Sequence, residues 1–216
     1  MKLLWVAITF FVVAGFGLSF FYYPYLPEKI PSHWNAAGKI DAYLPKEIAL
    51  FIMPLSSLFV ALLVYALPKI DPLRKNYSYF MPCLGGFFLI LAAFFLYIHV
   101  LTITAGLGVR LEMNYLLLPA VSALFFYTAL LLRKARRNWF VGIRTPWTLS
   151  SEKVWDKTHR FGSYCFAVLG VIFLVLLFVP ARAVFPLLIF SVLFLAFLPV
   201  TYSYFLWKAE VGKKPS

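Results

Sequence analysis

The chain of 216 residues is 63% hydrophobic and only 13% charged, with a mean hydropathy of +0.87. A soluble domain carries about 25% charged residues; a chain this apolar has no water-soluble core large enough to hide its surface, so lipid is its main solvent. The net charge of +12 does not point to nucleic acid, because the basic residues sit beside apolar runs rather than on a separate module.

Only helices or a closed barrel satisfy every backbone group in lipid. The apolar runs are long and do not alternate, which selects helices. The expected fold is all-α: one integral membrane domain over residues 1–216 with six transmembrane helices. A short cytoplasmic interfacial helix is expected between spans four and five. The spans are predicted at about 3–23, 48–67, 79–107, 113–132, 161–180 and 183–207. An outer loop covers 24–46 and a cytoplasmic loop 133–160.

Leu3–Tyr23 is uncharged, and ends in aromatic residues suited to a membrane interface. It is longer than the apolar core of a signal peptide, so it reads as a retained span. In the outer loop Pro24, Pro27 and Pro31 forbid a regular helix, and NAAGK predicts a turn around Gly38. The second span contains Pro54 and leads to a short basic loop with Lys69, Arg74 and Lys75. The run Tyr79–Val109 exceeds one crossing; Pro82, Gly85 and Gly86 predict loosening or close packing in its first half. Met113–Leu132 carries Pro119, and the last span carries Pro186 and Pro199. Cys83 and Cys165 lie in apolar stretches and read as small buried hydrophobes. The polar tail Lys208–Ser216 is expected to be disordered.

With the N-terminus inside, 15 Lys and Arg residues fall on inner segments and five on outer ones, Lys29, Lys39, Lys46, Arg110 and Arg182. That bias places both termini in the cytoplasm of a cell-membrane protein.

Two polar stretches are candidate sites. Outside, His33, Asn35 and Asp41 surround the Gly38 turn. His99 is the one ionisable group in the third span, about 10 Å below its Gly106 end at roughly 1.5 Å per residue. That placement lets His33 and His99 approach each other. An intramembrane ionisable residue is a functional hypothesis, with a neutral histidine bonded to a neighbouring helix as the structural alternative.

Inside, NWFVGIRTPWTLSSEKVWDKTHRF (Asn138–Phe161) is the long polar segment of the second half. A helix from about Ser151, capped by Ser150 or Thr148, puts Val154, Trp155, Thr158 and Phe161 on one stripe. That stripe suits a membrane interface. Arg144, Thr145, Thr148 and the helix N-terminus offer a competing reading, an anion site for a lipid phosphate, a peptide carboxylate or an acidic partner. Glu152, Asp156 and His159 share a face, yet one nitrogen and two oxygens beside Lys153 and Lys157 do not make a metal site. Walker, HExxH and GxSxG motifs are absent, as are paired acids deep in a span. No catalytic residue, cofactor or metal is expected.

IPSHWNAAGKIDAYLPKE resembles the short N-terminal domain of uncharacterised function that recurs in the SdpI family. NWFVGIRTPWTLSSEKVWDKTHRFG resembles that family's cytoplasmic signature, and the six-helix layout fits it over nearly the whole chain. The matching positions are His33, Asn35, Gly38 and Asp41 outside. Inside they are Asn138, Gly142, Arg144, Thr145, Pro146, Trp147, Thr148, Trp155, His159 and Arg160. The family's best-known member is a membrane immunity protein against a secreted toxic peptide, and also a receptor that draws a cytoplasmic repressor to the membrane. The resemblance therefore implies a non-enzymatic immunity protein. Its partners would be membrane lipid, a toxic peptide outside and a regulator protein inside. The alternative class is a membrane enzyme or transporter that binds a lipid or phosphate head group near Arg144 and His159.

Overall fold

The computed structural model describes residues 2–212. Among the described residues, six helices are long and apolar enough to cross a membrane: α1 (Lys2–Tyr22), α2 (Lys46–Ile70), α3 (Tyr77–Gly106), α4 (Met113–Lys134), α6 (Glu152–Val175) and α7 (Ala181–Val211). A five-residue helix, α5 (Pro146–Ser150), precedes α6, and two strands, β1 (Lys29–Trp34) and β2 (Ile40–Pro45), lie between α1 and α2. This is a multi-pass membrane protein. One face carries the β-strands; the opposite face carries the start of α1, the end of α7 and the loop from Ala135 to Ser151.

Helix makes up 79% of the chain, so the all-α expectation needs one correction. The outer loop is an antiparallel hairpin, with Lys29 opposite Pro45 and Trp34 opposite Ile40. Asn35 makes its turn: the Asn35 side-chain oxygen accepts from the backbone N–H of Ala37 (2.9 Å) and of Lys39 (3.1 Å). Gly38 takes φ +74 there, a region favouring glycine. Register shifts around His33 break the regular alternation. That irregularity and the prolines hid the strands from a periodicity reading.

The hairpin is anchored by Ile30, which is fully buried with Leu26, Leu50 and Ile103. Gly106 admits it, since a Cβ there would meet Leu26 at 2.8 Å and Ile30 at 3.0 Å. At its tip, the Asn114 side-chain amide donates to the Ala36 carbonyl (3.2 Å), tying the hairpin to α4.

Helices α1, α2 and α3 pack on one another, while α6 packs on both α4 and α7. The α3–α4 seam joins the two groups. Small residues set the close approaches, as expected between helices in lipid. A Cβ on Gly85 would strike Leu4 of α1, and one on Gly86 would strike the Tyr127 hydroxyl of α4. The glycines in the first half of α3 therefore pack closely rather than loosen the helix.

Pro54 shows how broken backbone bonding is repaired. A proline inside a helix leaves the carbonyl four residues earlier without its donor. That carbonyl belongs to Leu50, and it accepts from the Ser19 hydroxyl of α1 at 2.7 Å. His99 Nε2 of α3 lies 3.0 Å from the same hydroxyl oxygen of Ser19. The consistent arrangement has His99 Nε2–H donating to Ser19, and Ser19 donating to Leu50.

Helix α6 begins at Glu152 and runs unbroken to Val175. The expected separate interfacial helix before a span at 161 is instead the first part of one continuous helix. Its cap is Ser151, whose hydroxyl accepts from the Val154 N–H at 3.3 Å, not Ser150 or Thr148. The polar residues misled because a helix need not stop where the bilayer does. The stripe also packs inside the protein: Val154, Trp155 and Thr158 are buried, and Phe161 meets the Tyr202 ring of α7 at 4.8 Å. The tail expectation changes as well, since α7 continues to Val211; residues 213–216 lie outside the described residues.

Candidate functional site

On the hairpin face His33 and Asp41 form a pair, Nδ1 to Oδ1 at 2.6 Å, with much of both side chains exposed. Asn35 and Gly38 shape the turn beside it. His99 does not join them. It is 1% exposed, bonded to Ser19, and its Nδ1 has no partner among the described residues. The approach of His33 to His99 is thus not realised; His99 braces α2 through Ser19 instead. The polar pair left exposed on this face is His33–Asp41.

The opposite face is built around Asn138, which is fully buried. Its Nδ2 donates to the carbonyls of Arg136 (2.8 Å) and Val141 (2.9 Å). Its Oδ1 accepts from the N–H groups of Phe140 (2.9 Å) and Val141 (2.6 Å). One side chain thus closes the turn from 136 to 141, a job suited to an Asn amide.

Asp71 holds that turn from the other side, and the sequence reading missed it. It is 2% exposed. Its carboxylate accepts from the Leu73 N–H (2.7 Å), the Tyr77 hydroxyl (3.1 Å) and the Trp139 N–H (2.9 Å). Asn76 adds a second tie, donating to the Arg137 carbonyl at 2.6 Å. The available signal was a lone acid before a proline in an otherwise basic loop, PKIDPLRKN. These bonds stitch the α2–α3 connection to the loop after α4.

The next turn depends on Gly142 and His159. Gly142 has φ +112, and a Cβ there would run into the His159 ring. His159 Nε2 accepts from the Ile143 N–H at 3.0 Å, and Nδ1 lies 2.9 Å from the Trp155 carbonyl. Only the neutral ring protonated on Nδ1 makes both bonds. The ring stacks on Trp155 with centroids 3.9 Å apart, and Trp155 Nε1 donates to the Ala135 carbonyl at 2.9 Å. With both nitrogens engaged, His159 bolts the 142–143 turn to α6.

Thr145 and Thr148 form a reciprocal cap on α5: the Thr148 N–H donates to Thr145 Oγ1 (3.1 Å), and the Thr145 N–H to Thr148 Oγ1 (2.9 Å). Thr145 Oγ1 also lies 3.2 Å from the Ser203 hydroxyl of α7, and Trp147 meets the Tyr204 ring at 5.2 Å. Arg144 is exposed and donates to the Trp139 carbonyl at 2.7 Å. Both threonines are buried and engaged in capping, so Arg144 is the exposed member of the Arg144–Thr145–Thr148 group. Arg160 is exposed and lies elsewhere, lining a cavity with Arg133, Lys134 and Arg136. The candidate residues of this face therefore divide into a buried set (Asn138, Thr145, Thr148, Trp155, His159), half-buried Gly142 and Trp147, and exposed Arg144 and Arg160.

Among the described residues, six membrane-long helices with an anchored hairpin on one face and a knotted loop on the other define a multi-pass membrane protein with polar clusters at its two faces. Residues 134–203 match the model of the SdpI/YfhL protein family, which takes in the knotted loop, α6 and most of α7. Residues 10–58, which contain the hairpin, match a domain of unknown function, DUF1648. The chain is 29% identical over 203 residues to Immunity protein SdpI of Bacillus subtilis (strain 168), covering 94% of this chain and 95% of that protein. The chain thus resembles the SdpI family, through its family model over residues 134–203 and through the immunity protein over nearly its whole length. No solved structure matches the chain significantly.

Proposed function

We propose that this protein is a non-enzymatic immunity protein that protects its cell against a secreted, membrane-active toxic peptide. The observation that carries this is the end-to-end match to an immunity protein, which spans both polar faces rather than one shared module. The charge bias supports an orientation with both termini and the knotted loop in the cytoplasm and the hairpin outside. An arriving peptide then meets the His33–Asp41 edge first.

The protein also signals in this reading, with the Asn138–Arg160 segment presenting the bound state to a cytoplasmic regulator. The two helix groups meet at one seam, and each face carries a polar tie across it. These are Asn114 to Ala36 at the hairpin and Asp71 to Trp139 at the loop. A peptide that binds better to one arrangement of the groups shifts both ties together.

The test is survival of cells challenged with the cognate peptide, with and without this gene, and with His33→Ala or Arg144→Ala. Wild type protects, His33→Ala loses protection, and Arg144→Ala keeps protection but loses regulator recruitment. Cells carrying the wild-type gene and dying as readily as cells without it would sink the immunity reading.

A further inference from the structure

Beside the knotted loop lies a cavity of about 590 Å³ to which the immunity reading assigns no ligand. Arg133 and Lys134, in the last turn of α4, wall one side, and Arg160 of α6 walls the other. Arg136 completes the ring and lies over the exposed Tyr79 ring, 5.6 Å from its centroid. All four cations are exposed, and the ion pairs among the described residues involve none of them. Asp156 is the acid among the residues that line this cavity, leaving a net positive lining.

Two apolar stripes run from this ring into the membrane zone. On α6, Arg160, Tyr164 and Val168 are four residues apart on one exposed face. Arg160 lies beside the Tyr164 hydroxyl, with Arg133 nearby. On α4, Lys134, Leu130 and Phe126 repeat the pattern, all exposed. The two helices pack directly, with the Ser122 hydroxyl donating to the Gly170 carbonyl at 2.7 Å. Cations at the top, a tyrosine at the boundary and aliphatic or aromatic groups below match a lipid from phosphate to acyl chain.

We infer that this cleft binds the head group of an anionic glycerophospholipid, with its chains lying along the exposed stripes of α4 and α6. The phosphate chemistry resides at Arg133, Lys134, Arg136 and Arg160. Arg144 is bonded to the Trp139 carbonyl and takes no part.

The probe is phosphatidylglycerol in nanodiscs made mainly of phosphatidylcholine, with retained lipid counted by native mass spectrometry of the full chain. Wild type keeps phosphatidylglycerol preferentially. Each cation removed costs about fivefold in that preference, and the triple variant Arg133→Gln, Arg136→Gln, Arg160→Gln on the order of a hundredfold. If the triple variant fails to fold by circular dichroism, the three single variants carry the same test. Strong salt lowers retention in the unaltered protein, which needs no variant at all. Glycerol 3-phosphate and inorganic phosphate, which lack chains, fail to displace the lipid at equal concentration. Displacement by either marks a simple anion site and overturns the proposal. So does unchanged retention in folded variants, even where they lose binding to an acidic protein. The readout involves no toxin, so its failure is separate from failure of the immunity reading.

Discussion

A Gly142→Ala substitution tests the knotted loop most directly. Two penalties coincide there. Backbone at φ +112 is outside the regions an L-residue favours and costs about 1–3 kcal/mol. The added methyl also enters the His159 ring, and overpacking a tight site costs about 1–3 kcal/mol. Relief by moving the ring sacrifices the Ile143 N–H bond, about 1 kcal/mol more. The total is roughly 3–7 kcal/mol, comparable with the whole margin of a typical domain, about 5–15 kcal/mol. Two other glycines separate the contributions. Gly108 has φ +88 but nothing within 4 Å of a Cβ, and Gly17, inside α1, has neither positive φ nor a close neighbour. In detergent, Gly17→Ala should be neutral or slightly stabilising, by up to about 1 kcal/mol. Gly108→Ala should cost only the backbone part. Gly142→Ala should lose protease protection across residues 139–150 and change Trp fluorescence. If Gly142→Ala resembles Gly108→Ala in both assays, the His159 contact is wrong.

Removing the Asp71 carboxylate as Asp71→Ala strands the Leu73 and Trp139 N–H groups and the Tyr77 hydroxyl, a cost of about 2–4 kcal/mol. Limited proteolysis should then cut the loop after α4; equal resistance to wild type would count against the latch. Ser19→Ala leaves the Leu50 carbonyl bare and should cost about 1–3 kcal/mol. In a Pro54→Ala background the same change should cost less, because the backbone N–H restored by that substitution supplies the helical donor. A double-mutant cycle by thermal unfolding in detergent reads the difference, and strict additivity refutes the pairing. Arg144→Ala, removing one bond from an exposed side chain, should leave stability within about 0.5 kcal/mol of wild type, read from the same unfolding curves.

The spans were legible because lipid imposes one requirement, long apolar runs, and the chain meets it six times. Partners were less legible. The family resemblance marked Asn138, Gly142 and His159 as belonging together, yet only the folded chain shows that the glycine makes room for the histidine. Thr145 and Thr148 looked like ligand donors because a hydroxyl's sequence position does not reveal where its hydrogen bonds are spent. Asp71 was passed over since it lies 68 residues from Trp139 in the chain. His99 drew attention as an ionisable group in lipid, while its partner's task was set by Pro54, on a different helix. Several misses concern contacts between segments far apart in sequence; the successes rest on properties a segment has alone.

The Pro54 repair also bears on how the chain is made. Helices enter the bilayer in the order of synthesis, so α2 arrives with an uncovered Leu50 carbonyl that lipid cannot satisfy. Ser19, already present on α1, can cover it at once, and His99 closes the arrangement only when α3 follows. The first two helices therefore have reason to enter as a hairpin pair rather than singly, and the third completes a unit that the later helices find already built. A single proline thus makes the backbone bonding of α2 dependent on its predecessor.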